Sequence, residues 1–146
     1  MGRTHRIFWN RYQGQTYLYG TVLDFAKDRS VTARVPMMPS GKAIYTWYSV
    51  RNFQRDREEP ALPILTEGRC YRITAYLESE PADSVLLRIR FYSAQDTETG
   101  MFLADGLSDV FTVPHGTFSY TLELVKKGCE TVRFDHVLIT EEDNGG

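Results

Sequence analysis

The sequence predicts an all-β protein, an antiparallel sandwich or barrel, and three observations predict it. Apolar and polar residues alternate with period two through much of the chain, as in Val85, Leu87, Ile89 and Phe91 against Arg88, Arg90 and Tyr92. Turn signals built from Gly, Pro, Asp and Ser recur at regular spacing between these runs, and no segment sustains a helical period. Aromatic residues make up 13% of the chain and nine of them are tyrosine, a type that favours strands and also interfaces, because one end of its ring is polar.

Taken in order, Ile7-Phe8-Trp9 begins an N-terminal strand and Gln13-Gly14-Gln15 reads as a turn. Thr16 to Phe25 is a second strand, with Gly20 as a bulge. Asp28-Arg29-Ser30 turns into a short strand, Val31 to Val35. A proline-bracketed turn, Pro36 to Gly41, leads to an aromatic strand, Ala43 to Val50. The connection Arg51 to Glu67 is long for a compact β domain, and such connections tend to carry function or cover something. Pro60 and Pro63 argue against a continuous helix there, although a helical turn fits Arg55 to Glu59. Next come Cys70 to Glu78, with Tyr71, Ile73, Ala75 and Leu77 on one face and Arg72, Thr74 and Tyr76 on the other, a turn at Pro81 to Ser84, and Val85 to Ser93. Asp96 to Gly100 reads as a turn before a short segment, Met101 to Leu103. Asp109 to Val113 follows, and Pro114-His115-Gly116 breaks the chain. Phe118, Tyr120, Leu122 and Leu124 then share one face. The last strand, Thr131 to Thr140, is expected to carry Val132, Phe134, His136 and Leu138 in phase. A length of 146 residues fits one domain over 1–146, with 141–146 an acidic tail that frays.

Composition narrows the function classes. The net charge of −2 argues against nucleic acid or an anionic membrane as a primary partner. No stretch reaches the ~20 apolar residues of a membrane span. Residues 1–12 carry arginines but no apolar run of signal-peptide length, so a cytoplasmic location is expected. Cys70 and Cys129 are expected to be free thiols in such a reducing compartment.

Catalytic chemistry is hard to assemble. His5, His115 and His136 are isolated, with no second histidine or carboxylate at metal-ligand spacing. His136 within FDHVL reads as a packed strand residue and His115 as an exposed loop residue. Ser40 lies beside Gly41 but has no assigned base, so turn chemistry accounts for it. The pairs Glu58-Glu59 and Glu141-Glu142 read as solvated surface, and no glycine-rich phosphate loop is present. The expectation is therefore a binding protein and not an enzyme. No cofactor is expected; a structural calcium ion stays open, with no ligands assigned.

The candidate partner interface is Met37, Met38, Tyr45, Trp47, Phe53, Leu62 and Leu65, gathered by the stretch Pro36 to Tyr71. The candidate glycan contacts are Trp47, Tyr45 and Tyr92, since an exposed aromatic platform stacks on sugar rings. For Trp47 three roles stay open: core, protein interface and sugar contact. The mixed-sign run Arg51 to Glu59 would form a polar rim or a solvated loop.

One ordered set of residues carries a resemblance. It comprises Phe8-Trp9-Asn10, Thr16-Tyr17-Leu18-Tyr19-Gly20, Met38-Pro39-Ser40-Gly41 followed by Trp47, Asn52-Phe53-Gln54, Leu62-Pro63-Ile64-Leu65, and Gly68 with Tyr71. Together these resemble the third of the accessory secretory proteins of the bacterial accessory Sec system, from about residue 7 to about residue 138. Phe53 departs from the tyrosine expected there but keeps an aromatic. The resemblance implies a non-catalytic cytosolic adaptor or scaffold, peripheral to the membrane only through its complex. Its implied partners are the other two accessory secretory proteins, an accessory SecA motor and a glycosylated serine-rich-repeat adhesin exported from Gram-positive bacteria. A homo-oligomer is also open. One of the two protein partners would resemble a glycosyltransferase, and another would be associated with modifying the adhesin's sugars. The implied fold is a jelly-roll β-sandwich similar to carbohydrate-binding modules. The patterns Gly68-x-x-Tyr71 and Phe134-Asp135-x-Val137 look like those modules too. A second implied function is a module for N-acetylglucosamine-type sugars on the adhesin.

Overall fold

Two antiparallel sheets face each other in this computed structural model, which describes residues 4–9, 22–25, 30–49 and 62–142. The larger sheet contains β1 (Thr4–Ile7), β2 (Val22–Phe25), β3 (Val31–Arg34), β5 (Cys70–Glu80), β8 (Ser108–Thr112) and β10 (Thr131–Glu141). Its order is β2-β3-β10-β5-β8, with β1 also paired to β10. The smaller sheet has the order β4-β9-β6-β7, from β4 (Ala43–Tyr48), β6 (Val85–Tyr92), β7 (Glu98–Leu103) and β9 (Ser119–Lys126). Among the described residues there is no helix.

Alternation produces this arrangement directly. In β6 the buried residues are Val85, Leu87, Ile89 and Phe91, so one face of the strand is apolar and turns inward. Tyr71, Ile73 and Ala75 of β5 and Tyr120, Leu122 and Leu124 of β9 do the same. Ring contacts join the sheets across the interior: Trp47 to Phe134 at 5.3 Å, and Phe102 to Phe111 at 5.4 Å. The buried residues of both sheets form one core.

β10 departs from the expected phase. Val132 and Phe134 point inward, but Val137 and Ile139 are the next buried residues, not His136 and Leu138. The pairing with β5 skips a residue between Phe134 and His136. This bulge places Asp135 and His136 together opposite one residue of β5 and reverses the inward phase beyond it. It also marks a change of neighbour. β10 pairs with β3 from Thr131 to Phe134 and with β1 from Val137 to Thr140.

Other boundaries also differ. β7 begins at Glu98, inside the expected turn, because Ser93 closes a tighter one: its N–H donates to Thr97 O at 2.8 Å and its Oγ accepts from Gln95 N. Phe118 precedes β9 and is 64% exposed, so it does not share the inward face of Tyr120. β10 runs through Glu141, and Glu142 N donates to Cys70 O at 3.0 Å, two residues into the expected tail. The expected turn at 13–15, strand residues 16–21, Asp28 and Arg29 of the next turn, Val50 at the end of the aromatic strand and connection residues 51–61 lie outside the described residues.

Buried Lys126 ties the β3–β4 turn to β9: its Nζ donates to Val35 O and Pro36 O. At the other end, Gly68 N donates to Val113 O at 2.7 Å with φ at 81°, a left-handed conformation that glycine adopts without strain.

Candidate functional site

The sequence-expected interface residues do not form one surface. Tyr45 and Trp47 are 1% and 0% exposed. Their rings meet at 4.7 Å, Trp9 covers Tyr45 at 4.5 Å, and Trp47 Nε1 donates to Phe8 O at 2.9 Å. Met38 and Leu62 are also buried, and Leu65 packs against the core. Of the three roles open to Trp47, its place in this fold is the core. Strand alternation explains this, since Tyr45 and Trp47 share the inward face of β4. Met37 is exposed, but it lies in the β3–β4 turn at the Lys126 end of β9. Leu62 and Leu65 lie at the opposite end, where Tyr120 near the start of β9 donates its hydroxyl to Pro63 O. The eight residues of β9 separate these ends by roughly 24 Å at ~3.4 Å per residue. Phe53 lies outside the described residues. Tyr92 is half-buried on the outer side of the smaller sheet, opposite Ser119, so the three expected glycan contacts are not together either.

Two solvent-facing features stand where those residues do not. The first is the end of the sandwich built by 62–69 and 113–119. Ile64 is 96% exposed, directly after Pro63, whose carbonyl the Tyr120 hydroxyl holds. Burial removes water from that hydroxyl and pushes its pKa well above the ordinary tyrosine range, so it stays a donor. Leu62 N donates to Tyr48 O, and Thr66 N to the Tyr71 hydroxyl at 2.9 Å. The backbone is therefore clamped on both sides of Ile64 while its side chain is left in water. Phe118 is exposed at the same end, with its N–H donating to Tyr92 O at 2.7 Å.

The second feature is a groove of about 420 Å³ on the outer face of the larger sheet, lined by Tyr76, Glu78, Arg133, Asp135 and His136 among others. Tyr76 stacks on His136 with ring centroids 4.5 Å apart and planes at 21°. His136 Nδ1 lies 2.6 Å from Asp135 Oδ1, and Phe8 covers its ring at 5.9 Å. A His–Asp pair is two thirds of a hydrolytic triad, but the described residues lining the groove include no serine or cysteine nucleophile. Sequence reading missed this groove because the bulge creates it. One signal was present: Tyr76 is a lone aromatic on the polar face of β5.

The outer face of the smaller sheet is held by ions. Glu123 accepts from Arg88 Nε at 2.8 Å and Arg90 Nε at 2.9 Å, and Arg90 reaches Glu98 at 3.0 Å. Burial pushes the Glu123 carboxyl up, but the two guanidinium hydrogen bonds outweigh it and hold the carboxyl below its ordinary range. Among the described residues, no group of three or more His, Cys, Asp or Glu stands where it could hold a metal ion. No described helix is long and apolar enough to cross a membrane.

Comparison with known proteins adds four findings. Residues 16–141 match the family described as "Accessory Sec secretory system ASP3". The accessory Sec system protein of that name from Streptococcus gordonii is 33% identical over 152 residues, covering 95% of either chain. A crystal structure of accessory secretory proteins 1, 2 and 3 from Streptococcus pneumoniae contains a similar chain, with a TM-score of 0.88 and 30% identity over 94% of this chain and 95% of that one. About a quarter of the chain that carries the CBM22-1 and GH10 modules of Clostridium thermocellum endo-1,4-β-D-xylanase 10B, solved with xylohexaose, has a similar fold. There the TM-score is 0.54 and the identity 15%, over 85% of this chain and 25% of that one.

Proposed function

The chain belongs to the accessory Sec secretory system family of the third accessory secretory protein, and from that premise we propose that it is a non-catalytic adaptor. It assembles with the other two accessory secretory proteins and supports export of a glycosylated serine-rich-repeat adhesin through an accessory SecA motor. The observation that carries this reading is the clamped end of the sandwich. Ile64 and Phe118 are large apolar side chains left in water, Ile64 on a backbone fixed by Tyr120, Tyr71 and Tyr48 and Phe118 on one tied to Tyr92 O. A rigid apolar anchor binds with little loss of conformational freedom, which is what a hot spot needs. The crystal structure of accessory secretory proteins 1, 2 and 3 supports the choice of partners.

Light scattering on the chain co-expressed with the other two accessory proteins tests this. The expected result is a complex of defined mass that Ile64→Asp with Phe118→Asp dissolves, while the melting temperature of the isolated chain changes little. A chain that stays monomeric beside both partners overturns the reading.

A second reading is favoured by the groove on the larger sheet. In that reading the chain also binds N-acetylglucosamine-type sugars of the adhesin, at a site apart from the Ile64 end.

A further inference from the structure

We propose that the groove between Tyr76 and Arg133 binds one pyranose ring of a neutral glycan, with Tyr76 as the stacking platform. The inference rests on the glycan-binding reading above and assigns it a site.

The groove lies beside the ends of the flanking strand pairings. β8 pairs with β5 only as far as Thr74, opposite Ser108. On the other side of β10, β3 ends opposite Phe134 and β1 begins opposite Val137. Leu107 O accepts from Ala75 N at 2.7 Å just beyond the β8 pairing, and among the described residues the strand partners at Tyr76 and His136 are each other. The bulge turns both Asp135 and His136 outward into the groove.

Within the groove, Tyr76 keeps 46% of its surface in solvent and is held in place. His136 covers one side of its ring, while Asp135 and Phe8 fix His136 in turn. Single exposed aromatics are common and mean little. This one is braced by His136, itself held by Asp135 and Phe8, so a ligand meets a ring already oriented. The face of an aromatic ring carries negative charge density and attracts the weakly positive C–H edge of a sugar ring. Glu78 and Asp135 can accept hydrogen bonds from hydroxyls, and Arg133 can donate to them. Two carboxylates beside one guanidinium disfavour an anionic ligand such as a phosphate. The volume of about 420 Å³ falls within the roughly 300–1,000 Å³ of small-ligand sites.

The test is a ¹H–¹⁵N NMR titration of the full chain with N,N′-diacetylchitobiose, run on wild type, Tyr76→Ala, Tyr76→Trp and His136→Gln. Amide shifts are expected at 75–78 and 133–136. Tyr76→Ala should weaken binding roughly two- to tenfold, the usual loss for one stacking contact. Tyr76→Trp should retain binding, and His136→Gln should weaken it by releasing the brace. Shifts elsewhere in the chain would overturn this site while leaving the glycan reading in place. No shifts at tens of millimolar sugar would overturn both. Neither result bears on the adaptor reading, which the mass of the complex decides.

Discussion

Trp47 and Glu123 show what single side chains do here. Trp47 fills the space between the sheets with its indole N–H already paired to Phe8 O. Trp47→Ala leaves a cavity and an unpaired carbonyl, so we expect a loss of about 3–5 kcal/mol, a large fraction of the ~5–15 kcal/mol that holds a domain folded. Urea denaturation checks this; an unchanged midpoint with lost partner binding would mean that Trp47 acts at an interface. Glu123 predicts a pH dependence. Its folded carboxyl holds a proton less readily than an unfolded one, whose ordinary value is 4.5. Its contribution is therefore fully present above that value and is lost as pH falls through the lower, folded value. The melting-temperature gap between wild type and Glu123→Gln should be widest near pH 7 and shrink on acidification below about 4.5. A gap that stays constant across that range would remove the ion network from the stability account. Neither role is visible in the residue names, since Trp47 fits a platform or a core equally well until its face is known.

At the scale of the element, the β10 bulge has the widest consequences. It lets one strand keep Val132 and Phe134 in the core, then Val137 and Ile139, while two successive residues face outward. Deleting Asp135 would force a choice. Either Val137 and Ile139 turn to solvent, or the pairing with β1 and β5 slips by a residue. We expect the deletion to cost several kcal/mol and to appear as a broad, low-temperature melt by circular dichroism, whereas Asp135→Gly, which keeps the residue count, should melt close to wild type. Equal melts for the two variants would show that the bulge is not what sets the register. Most of the elements were legible beforehand: β5 and β6 follow the expected alternation because each keeps one phase over its length, and β9 does so from Tyr120 to Leu124. β10 was legible in extent but not in phase. A bulge depends on which strands lie to either side, and periodicity within one segment does not carry that information.

For the whole molecule, the clamped end with Ile64 and Phe118 and the groove at Tyr76 lie on different parts of the sandwich, so protein assembly and sugar contact should be separable by mutation. Each anchor substitution at the clamped end should cost roughly 2 kcal/mol of assembly energy if it is a hot spot, read as a shifted dissociation midpoint in light scattering, with the chitobiose titration unchanged. Tyr76→Ala should do the reverse. The sequence by itself determined the all-β class and the positions of most strands and turns, because alternation and turn chemistry act over a few neighbouring residues. The ordered motifs also carried the family resemblance, which the comparisons bear out. The tertiary structure alone decided which aromatic residues meet solvent. Tyr45, Trp47 and Leu62 went inward, Ile64 and Phe118 stayed out, and Tyr76 came to stand over His136. Exposure depends on what the facing sheet covers and where neighbouring strands stop, and both are set by pairings between residues far apart in the chain.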